Sequence, residues 1–364
     1  MFNIATITIC ILCTIITALY CIEIGGWIRI WRHTPENASK GSGCLDLSLV
    51  VAIHNEEKNI ERLISSITQQ SKPISEIIFV LDHCTDKSEA IIRQHQTSNT
   101  HIAHNTEMQG KKTAQRIGVN MATNNIICVV DGDCILQKGW HETLSEYFAN
   151  EHPCLLIEPV IMKGNGGLLQ TLFELDFLAL QMATAGTALR GRATMCNGAN
   201  LAFHKKEYTN HDAKTNYISG DDMFLLSEIK AKGHSVAYIK NRDAIVRTDC
   251  PQSLYEFFKQ RTRWLRKSTG YTDKDLKQLA WLMFLGNVSW PTALMVTIFD
   301  SHAIWAFSMS FVAKFIVDYA LLMEGGKFWT IKVRTWHVTI LALVYPFTMI
   351  VICIGSLFRN KNKW

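Results

Sequence analysis

Residues Phe2 to Ile28 carry a single charge, Glu23, and Arg29 and Arg32 follow at once. A run of that length and polarity crosses a bilayer as one helix, because no open structure satisfies its backbone polar groups in hydrocarbon. No basic segment precedes it and no small-residue cleavage site follows, so it reads as a retained anchor. The arginines behind it place the following chain on the cytoplasmic side, as in a bacterial inner-membrane protein. Three more apolar blocks lie near the other end, Leu279 to Phe299, Ala303 to Met323 and Val338 to Phe358, giving four expected spans. Both the loop 327–334 and the tail 359–364 are basic, yet three spans after a cytoplasmic domain put the tail outside. The alternative is therefore that one of the last blocks is re-entrant or lies in the interface.

The formal charge of +5 over 364 residues is too mild to argue for a nucleic-acid partner. The eleven cysteines are scattered, and the one CxxC, Cys10 and Cys13, falls inside the first apolar block. It reads as small apolar residues rather than a metal or redox site, and fits a reducing compartment.

Between the apolar blocks the chain alternates strand and helix. A polar linker from His33 to Gly43 leads to the buried-strand pattern Leu47 to Ile53, then a helix to about Gln70. Glu76 to Leu81, His101 to His104 and the run ending at Asp131 are further strands, with a helix over Gly110 to Ala122. Spacings of about twenty-five residues predict a right-handed parallel α/β sheet. Neither GxGxxG nor GxxxxGK[ST] occurs. The fourth strand instead ends in Asp131-Gly132-Asp133. Two carboxylates at the carboxyl end of a buried parallel strand suit Mg2+ or Mn2+ shared with a diphosphate. The alternative is an Asp-Gly turn that merely closes the strand. Asn55 and Asp86, at the ends of the first two strands, suit a nucleotide site or the capping of the next helices.

The sequence His54-Asn55-Glu56-Glu57 after a strand resembles the P-x-x-N-E opening of the inverting family 2 glycosyltransferases. Asp82 with Asp86 resembles their first aspartate motif, Gly110-Lys111 with Ala114 and Gly118 their G-K-x-x-A-x-x-x-G segment, and Asp131-Gly132-Asp133 their D-x-D. The motif's proline is absent, Ala52 standing there, and His54 replaces the usual aromatic. The resemblance implies that His54, Glu56 and Asp82 hold the nucleoside, that Lys111 and Asp131 reach the nucleotide-sugar, and that Asp131 and Asp133 carry the metal.

In the second half, Gly166 to Arg190 reads as an apolar helix and Met195 to Phe203 as a strand entered through a small-residue turn. Gly198 there either admits a sugar or lipid head group or forms an ordinary bulge. Ser219 and Asp222 fit a capping box opening a helix that ends at Gly233, while by the resemblance Asp222 is the base that takes the acceptor's proton. Over Pro251 to Gly270, Leu254, Phe257, Phe258, Trp264 and Leu265 form one helical face, with Lys259, Arg263, Arg266 and Lys267 away from it. An amphipathic basic helix of this kind lies in the headgroup layer. Gln260-Arg261-Thr262-Arg263-Trp264 also matches the Q-x-x-R-W motif of membrane-embedded members such as cellulose synthase, hyaluronan synthase and ceramide glucosyltransferase. The resemblance implies a clamp of Gln260, Arg263 and Trp264 on acceptor and diphosphate. Arg261, on the apolar face, has no role in this scheme.

The expectation is thus an α/β GT-A domain, Rossmann-like with a mostly parallel sheet, over residues 47–250. It follows an anchor (1–28) and a linker (29–46), and precedes an interfacial helix (251–270) and a membrane region of three segments (279–358). Its expected activity is transfer of a sugar from a UDP-sugar to a lipid acceptor at the bilayer. A processive synthase building a glycan is the alternative enzyme, and a silent nucleotide-binding scaffold the alternative of another class.

Overall fold

In the computed structural model the structure describes residues 4–36, 43–208, 221–267 and 270–358. The chain opens with α1 (Ile4–His33), β1 (Leu47–Ile53), α2 (Ile60–Thr68), β2 (Glu76–Asp82) and α3 (Ser88–Gln94). It continues through β3 (Thr100–Asn105), α4 (Lys111–Met121), β4 (Ile126–Asp131), β5 (Ile135–Leu136) and α5 (Trp140–Glu151). Next come β6 (Leu155–Ile157), β7 (Val160–Lys163), α6 (Leu168–Leu189), β8 (Asn200–His204), α7 (Asp221–Ala231), β9 (Val236–Tyr238) and β10 (Val246–Asp249). Four helices close the chain, α8 (Leu254–Lys267), α9 (Lys274–Phe299), α10 (Ile304–Trp329) and α11 (Thr335–Phe358).

Two compact units result. Over the described residues the α/β unit falls within 35–163 and 195–250, and the helical unit within 4–34, 164–194 and 251–358.

In the α/β unit a seven-stranded sheet has the order β3-β2-β1-β4-β8-β6-β9. Strands β3, β2, β1 and β4 are mutually parallel; β1, β2 and β4 carry the apolar runs of strands buried on both faces, while β3, at the sheet edge, is polar and partly exposed. Their registers align the strand ends, with Ala52 opposite Asp131 and Asp82 opposite Asn105. The second half departs from the parallel expectation, because β8 runs antiparallel to both β4 and β6. In α4, Gly118 lies against the Val50 side chain with no room for a Cβ, which accounts for the glycine that ends the Gly110–Gly118 motif. β5, β10 and β7 form a separate three-stranded sheet.

In the helical unit, α1, α9, α10 with the 3-10 turn before it, and α11 are each long and apolar enough to cross a membrane. α11 is a continuous helix of 24 residues, long enough without re-entry. Cys10 and Cys13 are buried in an apolar cluster with Ala293, Ala303 and Ala306, so the CxxC packs as small apolar side chains. Some of the helical unit's buried polar groups meet partners on other helices. Thr17 meets Ser289 at 3.0 Å, the Tyr20 hydroxyl donates to Asp318 at 2.7 Å, and Lys314 pairs with the same carboxylate. α6 belongs to this unit and not to the α/β domain in which the sequence placed it: it packs along α1 and α10, with Trp27 on Gly186 and Met182 on Gly325. Its 22 residues are apolar on nearly every face, so it needs cover all round.

Lys314 is 4% exposed, and removing it strands the Asp318 charge among apolar helices. Lys314→Met is therefore expected to cost about 3–5 kcal/mol, read as a fall in thermal midpoint in detergent, and Lys314→Met with Asp318→Asn to recover most of it.

Candidate active site

The parallel strands of the α/β unit end in a row of polar side chains. Asp82, at the end of β2, is fully buried. One of its carboxylate oxygens accepts from Asn105 Nδ2 at 2.6 Å and from His83 Nδ1 at 3.1 Å, and the other from the Gly110 amide at 3.0 Å. His54 Nδ1 donates to the Asp82 carbonyl at 2.6 Å. Asp82 thus acts on the loop that starts α4, while His54 and Gln109 stand at its rim. Asn55, in left-handed backbone, accepts from the Thr85 amide at 2.8 Å across the two strand ends and does not cap α2. Asp86 bonds the amides of Ser88, at the start of α3, and of Glu57, so its capping reading holds in part.

Lys111, the first residue of α4, pairs with Asp131 at the end of β4. Burial alone would lower the Lys111 ammonium, but Asp131, with Asp222 adding, outweighs it and holds the group above its ordinary value. Asp133 accepts from the Thr248 hydroxyl at 2.8 Å. Its carboxyl is raised, first by burial and then by the Asp131 charge, against the opposing pull of Thr248 and Lys111. Glu56 joins the group: Asn59 donates to it at 2.8 Å, and a Cβ on Gly132 would stand 2.9 Å from its Cγ. Burial first, then Asp133, Asp131 and Asp86, push Glu56 up to about 7 against the Asn59 bond.

Asp222, at the start of α7, accepts from the Gly198 amide at 2.9 Å. A Cβ at 198 would sit 3.3 Å from that carboxylate oxygen, so the close approach this glycine permits is to Asp222 itself. The capping box fell on Ser219, which lies outside the described residues.

Asp131, Asp133 and Asp222 therefore act on the Lys111 ammonium while Glu56 acts on Asp131 and Asp133, an excess of hard oxygen donors that fits a divalent cation on Asp131 and Asp133. Nothing in the sequence around Thr248 marked it, 115 residues from its partner Asp133.

The Q-x-x-R-W residues lie in the helical unit. On α8 the buried residues are Phe257, Arg261 and Thr262, while Leu254 is exposed, which shifts the expected apolar face. Arg261 is the residue the sequence left without a role. It forms a buried ion pair with Asp176 of α6, and its guanidinium lies 5.1 Å from the Phe257 ring and 4.4 Å from the Trp264 ring. Trp264 also meets Phe177 at 6.4 Å. Arg263 is exposed, and the buried Gln260 Oε1 has no hydrogen-bond partner among the described residues.

Residues 48–206, which span β1 to β8 and hold Lys111, Asp131 and Asp133, match the family described as Glycosyl transferase family 2. The chain carries a family 2 glycosyl transferase domain. Glycosyltransferase AglE of Haloferax volcanii is 30% identical to it over 100 residues, 26% of this chain and 33% of that protein. The 4,4'-diaponeurosporenoate glycosyltransferase of Staphylococcus aureus is 30% identical over 133 residues, 35% of each. The chain thus spans about a third of the length of these curated relatives. Among solved structures, a mannosyltransferase of Pyrobaculum calidifontis, in complex with GDP-Man and Mn2+, superposes with a TM-score of 0.60 at 15% identity. The alignment covers 96% of this chain and 99% of that one. The fold is that of the GT-A glycosyltransferases, as expected.

In this family 2 domain Glu56 tests the electrostatics. A carboxyl raised from 4.5 to about 7 resists ionisation in the folded state, so its contribution to stability is full below 4.5 and is lost as pH rises through 7. In chelator, Glu56→Gln is expected to melt like the parent near the low end of that window and higher than the parent above its upper end, followed by thermal unfolding across pH.

Proposed function

We propose that the chain is a membrane-bound inverting glycosyltransferase that moves a sugar from a nucleoside-diphosphate sugar to a lipid acceptor. The observation that carries this is the gathering of Lys111, Asp131, Asp133 and Asp222 at the carboxyl ends of the strands of a family 2 domain. Uridine as the nucleoside follows from the motif resemblance, with His54, Glu56 and Asp82 holding it; the similar mannosyltransferase is in complex with GDP-Man. The four long apolar helices support a bilayer setting, and Arg29 and Arg32 behind the first apolar run support a cytoplasmic α/β unit. The relative named for 4,4'-diaponeurosporenoate supports a single defined acceptor rather than a growing glycan.

Asp131 and Asp133 are the residues that would hold Mg2+ or Mn2+, which when bound neutralises diphosphate charge. Asp222 takes the proton of the acceptor hydroxyl. The Gly198 amide fixes the direction of that carboxylate beforehand. The freed oxygen attacks the anomeric carbon from the face opposite the diphosphate, which departs with the bonding pair, and the configuration inverts. Lys111 supplies positive charge toward the departing group. By the Q-x-x-R-W resemblance, Arg263 adds a second cation, with Trp264 and Gln260 on the acceptor side. Arg261 serves these residues indirectly, as the buried anchor of α8 on α6.

Asp222→Asn is expected to lower transfer from a labelled donor ~10²–10⁴-fold with nucleotide binding retained. Unchanged transfer would remove the assignment. Arg263→Ala is expected to lower kcat with little change in donor affinity, measured with a panel of UDP- and GDP-sugars. Product length decides the acceptor, since a ladder of oligomers from one labelled donor would replace the lipid reading by processive synthesis.

A further inference from the structure

The edge of the α/β sheet opposite Asp131 carries a second cluster of ligand-type side chains. β8 runs antiparallel to β4, with Asn200 opposite Val130 and His204 opposite Ile126, so the residues after His204 lie beyond the amino end of β4. Cys154 immediately precedes β6, Glu207 ends the 3-10 turn after β8, and His234 lies two residues before β9. Because β8, β6 and β9 are neighbours in the sheet, their ends bring a thiol, a carboxylate and an imidazole together. The three ligand atoms all lie within 4.8 Å of one another. We propose that Cys154, Glu207 and His234 form a zinc site, distinct from the Asp131–Asp133 centre.

Three features support it. The main chain at the ligands is fixed: the Cys154 amide donates to the Ser235 carbonyl at 3.0 Å, the His204 amide to the Cys154 carbonyl at 3.1 Å, and the His234 amide to the Ile229 carbonyl at 3.1 Å. The Glu207 side chain is only 4% exposed, and a carboxylate so buried needs a cation or strong donors. His234 Nδ1 meets it at 2.8 Å, while the neighbouring Lys232 is paired with Glu228. The charges also match: a thiolate and a carboxylate neutralise one divalent ion, and the neutral imidazole adds a third ligand without charge. Sulfur and nitrogen donors select zinc over the hard cations that suit Asp131 and Asp133.

Tetrahedral zinc, with bonds of about 2.0–2.3 Å, needs ligand atoms roughly 3.3–3.8 Å apart. Side-chain rotation of about an ångström reaches that spacing from the present one. On binding, the Cys154 thiol proton goes to solvent, His234 turns Nδ1 from Glu207 to the metal, and water fills the fourth position. The bound ion ties the starts of β6 and β9 to the turn after β8.

The test uses the full-length protein in detergent, stripped by chelator and titrated with Co2+ without nucleotide. One equivalent is expected to give a near-ultraviolet thiolate-to-cobalt charge-transfer band, which Zn2+ abolishes by displacement. Cys154→Ser should remove the band and His234→Ala should weaken cobalt affinity ~10-fold or more, while His234→Cys, which keeps a ligand, should retain it. Asp131→Asn with Asp133→Asn should leave it in place, because that centre holds no thiolate ligand in this assignment. Absence of the band, its persistence in Cys154→Ser, or its loss in the double aspartate variant would overturn the proposal.

Discussion

The carboxylate of Asp82 is the joint on which the working edge of the α/β unit depends. It is wholly buried, and such a charge is tolerated only where N–H groups meet it on several sides. Asn105, His83 and the Gly110 amide do so, tying the ends of two neighbouring parallel strands to the loop that begins α4. That fixes where α4 starts, and so where Lys111 leaves the backbone to meet Asp131. An aspartate that the motif resemblance puts on the nucleoside is thus also the brace that holds Lys111.

Charge is handled differently in the two units. At the site in the α/β unit the carboxylates outnumber their cation, and burial first, with their mutual charge adding, raises the carboxyl groups of Glu56 and Asp133. In the helical unit the buried charges close on partners of their own, Arg261 on Asp176 and Lys314 on Asp318. The first arrangement leaves a field to be filled by a bound cation and a substrate. The second leaves little, and makes fixed joints between helices.

β1, β2 and β4 were legible because apolar runs rich in Ile, Val and Leu admit few other settings, and β1 spans the residues read from the sequence, Leu47 to Ile53. The D-G-D pair could be read because a short-range motif carries its own geometry. The remainder depended on distant partners. Thr248 on Asp133, Gly198 on Asp222 and Arg261 on Asp176 join residues far apart in sequence, and no local pattern marks such pairs. α6 was recognised as an apolar helix but assigned to the wrong unit, since an all-round apolar helix states that it must be covered and not by what.

The helical unit takes its described residues from three separate passages of the chain, within 4–34, 164–194 and 251–358. The soluble-looking stretch between the anchor and the last helices is therefore not an excisable module. A truncation limited to 47–250 would carry α6 with Phe173, Phe177 and Met182 stripped of their neighbours and open to aggregation. On the ribosome the same constraint sets an order: α6 emerges before α8 to α11 exist and must wait beside α1, so the sheet's later strands are laid down while one of its own excursions is already committed elsewhere.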